Sequence, residues 1–138
     1  MNDVVYIALG SNVGNREMTL ARARAAIADI RDTRILGESS IEETDPLGPI
    51  PQGRYLNQMI VVETALEPPM LLTALQEIER AAGRVRSMRW GPRTLDLDIV
   101  MIEGKALTDE TLTVPHPELP NRDFWQRELQ ELRSVHHG

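Results

Sequence analysis

Apolar and polar positions along the chain repeat with the periods of strands and helices, and the elements they predict follow the order β-α-β-β-α-β. The predicted elements are a strand over 4–9, a helix from the Asn15 cap through residue 30, strands over 34–43 and 55–64, a helix over 66–82 closed by Gly83, and a strand over 94–102. This order is typical of an α+β, ferredoxin-like core, in which an antiparallel sheet carries both helices on one face. An extended segment to Val114 and a short helix from Asn121 are expected to follow.

The segments between these elements are also informative. The first predicted helix has one apolar face, made of Leu20, Ala23, Ile27 and Ile30. Residues 44–53 (T-D-P-L-G-P-I-P-Q-G) contain too many prolines and glycines for regular structure. We therefore expect a loop of fixed shape between the second and third strands.

Composition and charge exclude several classes of protein. The chain has 138 residues, and we interpret residues 1–138 as one domain with a real core. The formal charge of −6 gives no global attraction to nucleic acid or to an anionic membrane. The absence of cysteine excludes disulfides and thiol chemistry. The N-terminus lacks the cationic region of a signal peptide and no segment is long enough to span a bilayer, so a soluble, cytoplasmic protein is expected.

The segment 80–98 (R-A-A-G-R-V-R-S-M-R-W-G-P-R-T-L-D-L-D) combines a run of arginines with a pair of aspartates. Asp96 and Asp98 are two residues apart on a strand and therefore point to the same face, with their bases about 7 Å apart. Arginine side chains bind phosphate oxygens in pairs, and magnesium takes most of its ligands from water and substrate phosphates. The segment therefore indicates a site for a magnesium-nucleotide complex.

This segment also has two structural interpretations. An arginine run after a helix is often a solvated loop, and Asp-x-Asp on a strand is often an exposed edge or a partner in ion pairs. The flanking Leu95, Leu97 and Ile99 favour the functional interpretation, because carboxylates on a mostly buried strand need a partner.

A series of short motifs runs in order through the chain. The motifs are L-G-S-N-V-G (9–14), E-T-D-P-L-G (43–48), R-Y-L-N (54–57), Q-E-I-E with G-R-V-R (76–86), R-W-G-P-R-T-L-D-L-D (89–98), L-T-V-P-H-P (112–117) and N-R-D-F (121–124). With them the chain resembles the hydroxymethyl-dihydropterin pyrophosphokinase family, the folate-pathway enzymes that move diphosphate from ATP to a pterin alcohol. The block at 89–98 is highly specific, and the matches extend from residue 5 to residue 124.

The resemblance implies an ATP-dependent diphosphokinase. In such enzymes two aspartates, here Asp96 and Asp98, hold two Mg²⁺ ions that bridge the phosphates of the co-substrate ATP. The pterin hydroxyl attacks the β-phosphorus, so AMP leaves and the whole diphosphate is transferred. Positioning and charge stabilisation carry a reaction of this kind.

The resemblance also implies a nucleotide site. Its ATP-binding residues would be Leu72, Gln76, Arg84, Arg86, Trp90, Arg93, Ile99, Thr113, His116 and Arg122, and Arg84 and Arg93 would be catalytic together with the two aspartates. Residues 84–92 are expected to form a lid that is mobile without nucleotide and ordered with both substrates. An isolated Pro-His-Pro would be typical of a fixed loop imidazole, but within these motifs a phosphate contact from His116 is favoured.

The pterin site is implied by a different set of residues. They are Thr44, Pro46, Leu47, Tyr55, Asn57, Trp90 and Phe124. The pterin ring would lie between Tyr55 and Phe124, and the Asn57 amide would both donate to and accept from the amide-like edge of the ring. Glu79 is interpreted as structural, as a partner for a nearby arginine.

The chain departs from the family after Phe124, where a polar, helix-like and short C-terminal segment replaces an apolar stretch; Thr111 also stands where some members carry an arginine. Trp125, Leu129 and Leu132 can share one apolar stripe on this helix. The stripe predicts a terminal helix docked on the body at least as far as Leu132.

Three alternatives stay open: a divergent relative acting on another pterin, a nucleotide sensor without catalysis, and an RNA-binding module of ferredoxin-like fold. Against RNA binding stand the acidic net charge and the lack of paired aromatic residues on a central strand. The expected partners are the small molecules ATP and dihydropterin, without nucleic acid or membrane, and the chain is expected to be a monomer.

Overall fold

The computed structural model describes residues 2–46, 53–83 and 94–136. The strands are β1 (Asp3–Ser11), β2 (Thr33–Glu38), β3 (Glu42–Thr44), β4 (Tyr55–Thr64), β5 (Asp96–Ile102), β6 (Leu107–Thr108) and β7 (Thr113–Val114), and the helices are α1 (Arg16–Ala28), α2 (Pro68–Ala81) and α3 (Asp123–His136), with a 3-10 turn at Leu119–Asn121. The predictions for Leu47 and for residues 84–93 fall outside the described residues.

The main sheet is antiparallel and has the strand order β2-β4-β1-β5, with the short β3 also paired to β4. The strands before and after each core helix are separated by one strand of the sheet. β4 lies between β1 and β2, and β1 lies between β4 and β5. The α+β, ferredoxin-like prediction is confirmed. β6 and β7 form a separate two-stranded sheet.

Both faces of the sheet are buried, because alternate side chains of β1 enter two different apolar clusters. Val5, Ile7 and Leu9 face the cluster that α1 and α2 cover. Tyr6 and Ala8 face the cluster that α3 covers. The two helices of the predicted core therefore share one face, as expected, and the terminal helix covers the other.

The helix boundaries follow local signals in the sequence. Asn15 caps α1, since its side chain accepts a hydrogen bond from the Met18 amide at 3.1 Å. Leu20, Ala23 and Ile27 are buried on the predicted face, and Ile30 packs against the cluster beyond the end of the helix. α2 begins with Pro68, which needs no intrahelical donor in the first turn.

The prediction of one strand over 34–43 is wrong, because the strand is interrupted between the end of β2 at Glu38 and the start of β3 at Glu42. Ser39 accounts for the break: its amide donates to the Met59 carbonyl at 2.8 Å, and its hydroxyl accepts from the Met59 amide at 2.9 Å. The Ser39 hydroxyl thus takes the place of a backbone carbonyl as the acceptor for the Met59 amide of β4. The register between β2 and β4 also shifts between Ile35 and Gly37.

The C-terminal helix is longer than the short helix predicted from Asn121: the 3-10 turn comes first, and α3 has 14 residues. Trp125, Leu129 and Leu132 are all buried in the second cluster. The predicted docking of this helix as far as Leu132 is confirmed. None of the helices in the described part of the chain is long and apolar enough to span a membrane.

Candidate active site

The candidate site lies on the sheet face that α3 covers, beyond the end of the apolar cluster that contains Tyr6 and Ala8. In the strand register Gly10 of β1 lies between Asn57 of β4 and Asp96 of β5, and Ala8 lies between Met59 and Asp98. Both aspartates are half-buried, whereas Leu95 and Leu97 face the opposite cluster. The two carboxylates therefore share one face, as their spacing predicts.

A bulge in β5 brings His116 to this face. Val100 is the extra residue, because Ile99 pairs with Ile7 while Met101 pairs with Tyr6. The Val100 carbonyl accepts the backbone N–H of His116 at 2.8 Å. This bond fixes the segment after β7 against the edge of β5.

The His116 ring is oriented toward Asp98. Its Nδ1 accepts the Glu118 amide at 3.0 Å, so Nε2 carries the proton of the neutral ring and lies 3.8 Å from Asp98 Oδ1. Burial lowers the pKa of His116, and the nearby Arg122 lowers that pKa further, against the opposing charges of Asp98 and Glu118. The imidazole therefore favours its neutral form, with an N–H donor facing the site.

Trp125 holds both His116 and Arg122. The His116 ring meets the indole edge to face at 4.9 Å between centroids. The Arg122 guanidinium lies 4.4 Å over the indole. Phe124 is 6.3 Å from Trp125 at a steep angle. The sequence predicted Trp125 only as part of the apolar stripe that docks the terminal helix, and no sequence signal pointed to its contacts with His116 and Arg122.

Asn57 faces the site with its amide in a fixed orientation. Its Nδ2 donates to Thr44 Oγ1 at 2.5 Å, across the pairing of β3 with β4. A Cβ on Gly10 would lie 3.3 Å from Asn57 Oδ1 and 3.5 Å from Tyr55 Cδ1. Glycine at position 10 therefore leaves room for the Asn57 carbonyl and the Tyr55 ring over the middle strand.

The ends of the proline-rich loop are tied to the body. Arg54 binds Glu43 at 3.0 Å and Asp45 at 3.2 Å. Arg16 binds Glu43 and donates to the Arg54 carbonyl, both at 2.8 Å. The Asn12 amide donates to Gly53 at 3.1 Å. Half-buried Pro46 leads into this loop, and Leu47 lies outside the described residues.

Glu79 joins α2 to the aspartate-bearing strand. Its carboxylate is buried and accepts the Leu97 amide at 2.7 Å, between the two aspartates in sequence. The residue was predicted to be structural, and this contact gives it that place. The pairing of Glu79 with an arginine stays a prediction.

The remaining predicted nucleotide residues are distributed around β5. Ile99 and Leu72 belong to the cluster under α1 and α2, Gln76 is exposed on α2, and Thr113 lies on β7. In the strand register Ile99 faces away from Asp96 and Asp98, toward the cluster that Leu72 also contacts. Arg84, Arg86, Trp90 and Arg93 lie outside the described residues.

The donor set of this face suits a metal ion that is shared with a ligand. Asp96 and Asp98 supply carboxylate oxygens, which Mg²⁺ prefers. Within residues 2–46, 53–83 and 94–136, no group of three or more His, Cys, Asp and Glu side chains could hold a metal ion. Two carboxylates suit a Mg²⁺ ion that takes its other ligands from water and from a bound phosphate.

Two half-buried carboxylates and a fixed amide thus share one face of an α+β sheet. The fold is similar to that of a solved structure described as HPPK-DHPS in complex with substrates, with a TM-score of 0.58, 14% identity, and coverage of 83% of this chain and 30% of that one.

Residues 6–134 match the family described as 7,8-dihydro-6-hydroxymethylpterin-pyrophosphokinase. The 2-amino-4-hydroxy-6-hydroxymethyldihydropteridine pyrophosphokinase of Bacillus subtilis is 43% identical over 132 residues, which are 96% of this chain and 79% of that protein. The enzyme of the same name from Haemophilus influenzae is 43% identical over 129 residues, which are 94% of this chain and 81% of that protein. The chain belongs to the 7,8-dihydro-6-hydroxymethylpterin-pyrophosphokinase family.

Proposed function

We propose that this chain transfers diphosphate from ATP to the hydroxymethyl group of 6-hydroxymethyl-7,8-dihydropterin in folate biosynthesis. The alcohol oxygen bonds to the β-phosphorus, the bond from that phosphorus to the α–β bridging oxygen breaks, AMP leaves, and the alcohol proton is released. The observation that carries the proposal is that Asp96 and Asp98 share one sheet face with Asn57 across Gly10. Family membership supports the reaction, and the shared face supports these residues as its site.

Asp96 and Asp98 would hold two Mg²⁺ ions through which the phosphates of ATP are bound. Such ions would neutralise phosphate charge and lower the pKa of a coordinated hydroxyl. The protein's own contribution is to fix the carboxylates. β1 holds the strand that carries them on one side, and Glu79 fixes the amide of Leu97 between them.

His116 and Arg122 would bind the phosphates from the side of α3. With Nδ1 held by the Glu118 amide, the Nε2–H of His116 is available to a phosphate oxygen near Asp98. The Trp125 ring fixes the approach of both side chains. β5 is the last strand of the main sheet, so a nucleotide crossing its edge would reach residues of both faces, including Leu72 and Ile99.

Arg84 and Arg86, which fall outside the described residues, are proposed to act as lid residues that bind the phosphates. We expect Arg84→Ala and Arg86→Ala to lower kcat about 10- to 100-fold, because each removes a cation that acts on charge in the transition state. The KM for the pterin should change much less. Steady-state kinetics with each substrate varied would check this, with Arg80→Ala as the control on the exposed end of α2. A larger effect on pterin KM than on kcat would place these arginines elsewhere.

The pterin is proposed to bind against Asn57, between Tyr55 and Phe124, with Thr44 and the segment from Pro46 to Leu47 at its edge. Asn57 is ready for this role, because Thr44 already fixes which end of the amide is the donor. Its Oδ1 then presents an acceptor beside Gly10. Trp90 would cover the ring from the lid.

Substitution of Gly10 should weaken the pterin site alone. In Gly10→Ala the new Cβ would meet Asn57 Oδ1 at 3.3 Å, so the amide must move by a few tenths of an ångström. We expect the KM for the pterin to rise roughly 10-fold and the KM for ATP to stay unchanged. The matched control is the double-mutant cycle with Asn57→Ala. If Gly10→Ala costs as much in the Asn57→Ala background as alone, the clash with Asn57 is not the cause.

The assay that tests the proposed function uses ATP, Mg²⁺ and 6-hydroxymethyl-7,8-dihydropterin, with the nucleotides separated at the end. Diphosphate transfer predicts AMP, formed only when the pterin is present. ADP as the product, or AMP formed equally without the pterin, would contradict the proposal. We also propose that the chain works as one domain over residues 1–138, as a monomer, in the cytoplasm.

A further inference from the structure

Two carboxyl groups meet between α3 and β3, away from the aspartate pair. Glu128 of α3 is only 2% exposed. Its neighbour is Glu42 of β3, which contributes a hydrogen bond to it. Counted as ionised, both oxygens of Glu128 and Oε1 of Glu42 are buried without a hydrogen-bond donor among the described residues. Two ionised carboxylates in this position would repel each other and leave these oxygens unsatisfied.

The surroundings decide which of the two carboxyl groups carries a proton. Glu42 Oε2 accepts a charge-assisted hydrogen bond from Arg127 Nε at 3.1 Å, whereas neither oxygen of Glu128 has a donor among the described residues. Oε1 of Glu42 then remains as an acceptor. A neutral Glu128 supplies the missing donor, so one proton satisfies the contact between the two side chains.

We propose that Glu128 is a neutral carboxylic acid that donates a hydrogen bond to Glu42. This bond positions the pterin-binding walls, which are the parts of α3 and β3 that carry Phe124 and Thr44. The pair joins the two elements that carry these walls. Glu42 faces Asn57 in the strand register and precedes Thr44 by two residues. Phe124 lies one helical turn before Glu128 on α3. Glu128 is thus a positioning residue, and this part of the inference rests on the proposed function.

The charges around Glu128 support its neutral form. Burial, followed by the hydrogen bond and the charge of Glu42, raises the pKa of Glu128 to about 9, with Glu131 acting in the same direction and Arg127 in the opposite one. Glu131 is itself held by the amide and hydroxyl of Ser40.

The charged side chains on the other strands that contact α3 are engaged elsewhere. On β2 and β4, Arg34 binds Glu63 at 3.0 Å, and Glu38 lies 3.7 Å from Arg24. In the 3-10 turn next to α3, the Asn121 amide donates to Glu118 at 3.1 Å. The cation that lowers the pKa of Glu128 is Arg127, which is already bound to Glu42.

The pH dependence of stability has a definite sign. The pKa of Glu128 rises from an ordinary 4.5 to about 9 on folding, so the folded chain binds a proton that the unfolded chain loses. The contribution of Glu128 to stability is therefore complete below pH 4.5 and decreases as the pH rises from there through about 9. Glutamine at position 128 supplies an N–H donor at every pH and does not show this decrease.

The test compares melting temperatures of the parent chain and Glu128→Gln from pH 5 to 9. We expect the melting temperature of Glu128→Gln, relative to that of the parent, to rise by about 3–5 °C for each unit of pH. Glu77→Gln, an exposed glutamate on α2, is the control and should stay parallel to the parent. If the difference in melting temperature between Glu128→Gln and the parent does not change with pH, the proposal that Glu128 is a neutral acid is wrong.

The positioning role has a separate readout. Glu128→Gln should keep the KM for 6-hydroxymethyl-7,8-dihydropterin within about 2-fold, whereas Glu128→Ala, without a donor, should raise it about 5- to 10-fold and leave the KM for ATP unchanged. Equal pterin KM values in both variants would overturn the positioning role even if the melting curves support the neutral acid. Absence of transfer by the parent chain would contradict the proposed function, and the melting comparison would still decide on the proton.

Discussion

Asp96→Asn and Asp98→Asn should each lower diphosphate transfer by about 1000-fold, which corresponds to about 4 kcal/mol of transition-state stabilisation. Asparagine keeps the shape of the side chain and removes one negative charge from the face where the metal and phosphates are proposed to bind. Because both positions are only half-buried, the melting temperature should change by no more than a few degrees. Single-turnover kinetics with saturating Mg²⁺ and both substrates would measure the loss.

Asp29→Asn is the matched control for this prediction, because Asp29 is exposed at the end of α1 and lies outside the proposed site. It should retain the activity of the parent chain. Near-normal turnover of Asp96→Asn or Asp98→Asn in the presence of Mg²⁺ would remove that aspartate from the proposed metal site. A loss of folding in either variant would instead show that the carboxylate is structural.

Trp125→Ala is expected to have the second large effect, on stability and on the nucleotide site together. The indole is 2% exposed, and its removal should cost about 3–5 kcal/mol of the free energy of unfolding. His116 and Arg122 would also lose the ring on which both rest. Urea unfolding would measure the first effect, and the affinity for ATP at low temperature, where the variant remains folded, would measure the second.

Leu129→Ala gives the control for Trp125→Ala. Leu129 lies on the same helix and in the same cluster, and its truncation should cost about 2–5 kcal/mol, but the ring contacts to His116 and Arg122 come from Trp125. Compared at equal folded fraction, ATP affinity should fall in Trp125→Ala and remain in Leu129→Ala. An equal loss in both would mean that the helix acts only through its docking.

The order of the main helices and strands along the chain was predictable from the sequence because the signals were local. β4 runs from Tyr55 to Thr64, as predicted, since an apolar run ends there and Leu66 begins a new pattern. Asn15 was recognisable as a cap because capping is a contact within one turn of helix. The break at Ser39 was not predictable, because it depends on hydrogen bonds to Met59, which is 20 residues away along the chain.

The candidate site divides in the same way. Asp96 and Asp98 were placed on one face by the two-residue period of a strand. The fixed amide of Asn57 depends on the pairing of β3 with β4, which the sequence pattern did not separate from β2. Glu128 gave no signal as a buried carboxyl group, because a glutamate on a charged helix is normally solvated, and only its contact with Glu42 distinguishes it.

The central claim is transfer of an intact diphosphate at the sheet face of Asp96 and Asp98, and the fate of the β-phosphorus of ATP tests it most directly. Phosphorus NMR of a reaction with ATP, Mg²⁺ and 6-hydroxymethyl-7,8-dihydropterin should show the β- and γ-phosphorus atoms together in a diphosphate ester of the pterin, with the α-phosphorus in AMP. The parent chain should give this result, and Asp96→Asn should not. A β-phosphorus that ends in ADP, or in free diphosphate without a pterin ester, would contradict the account.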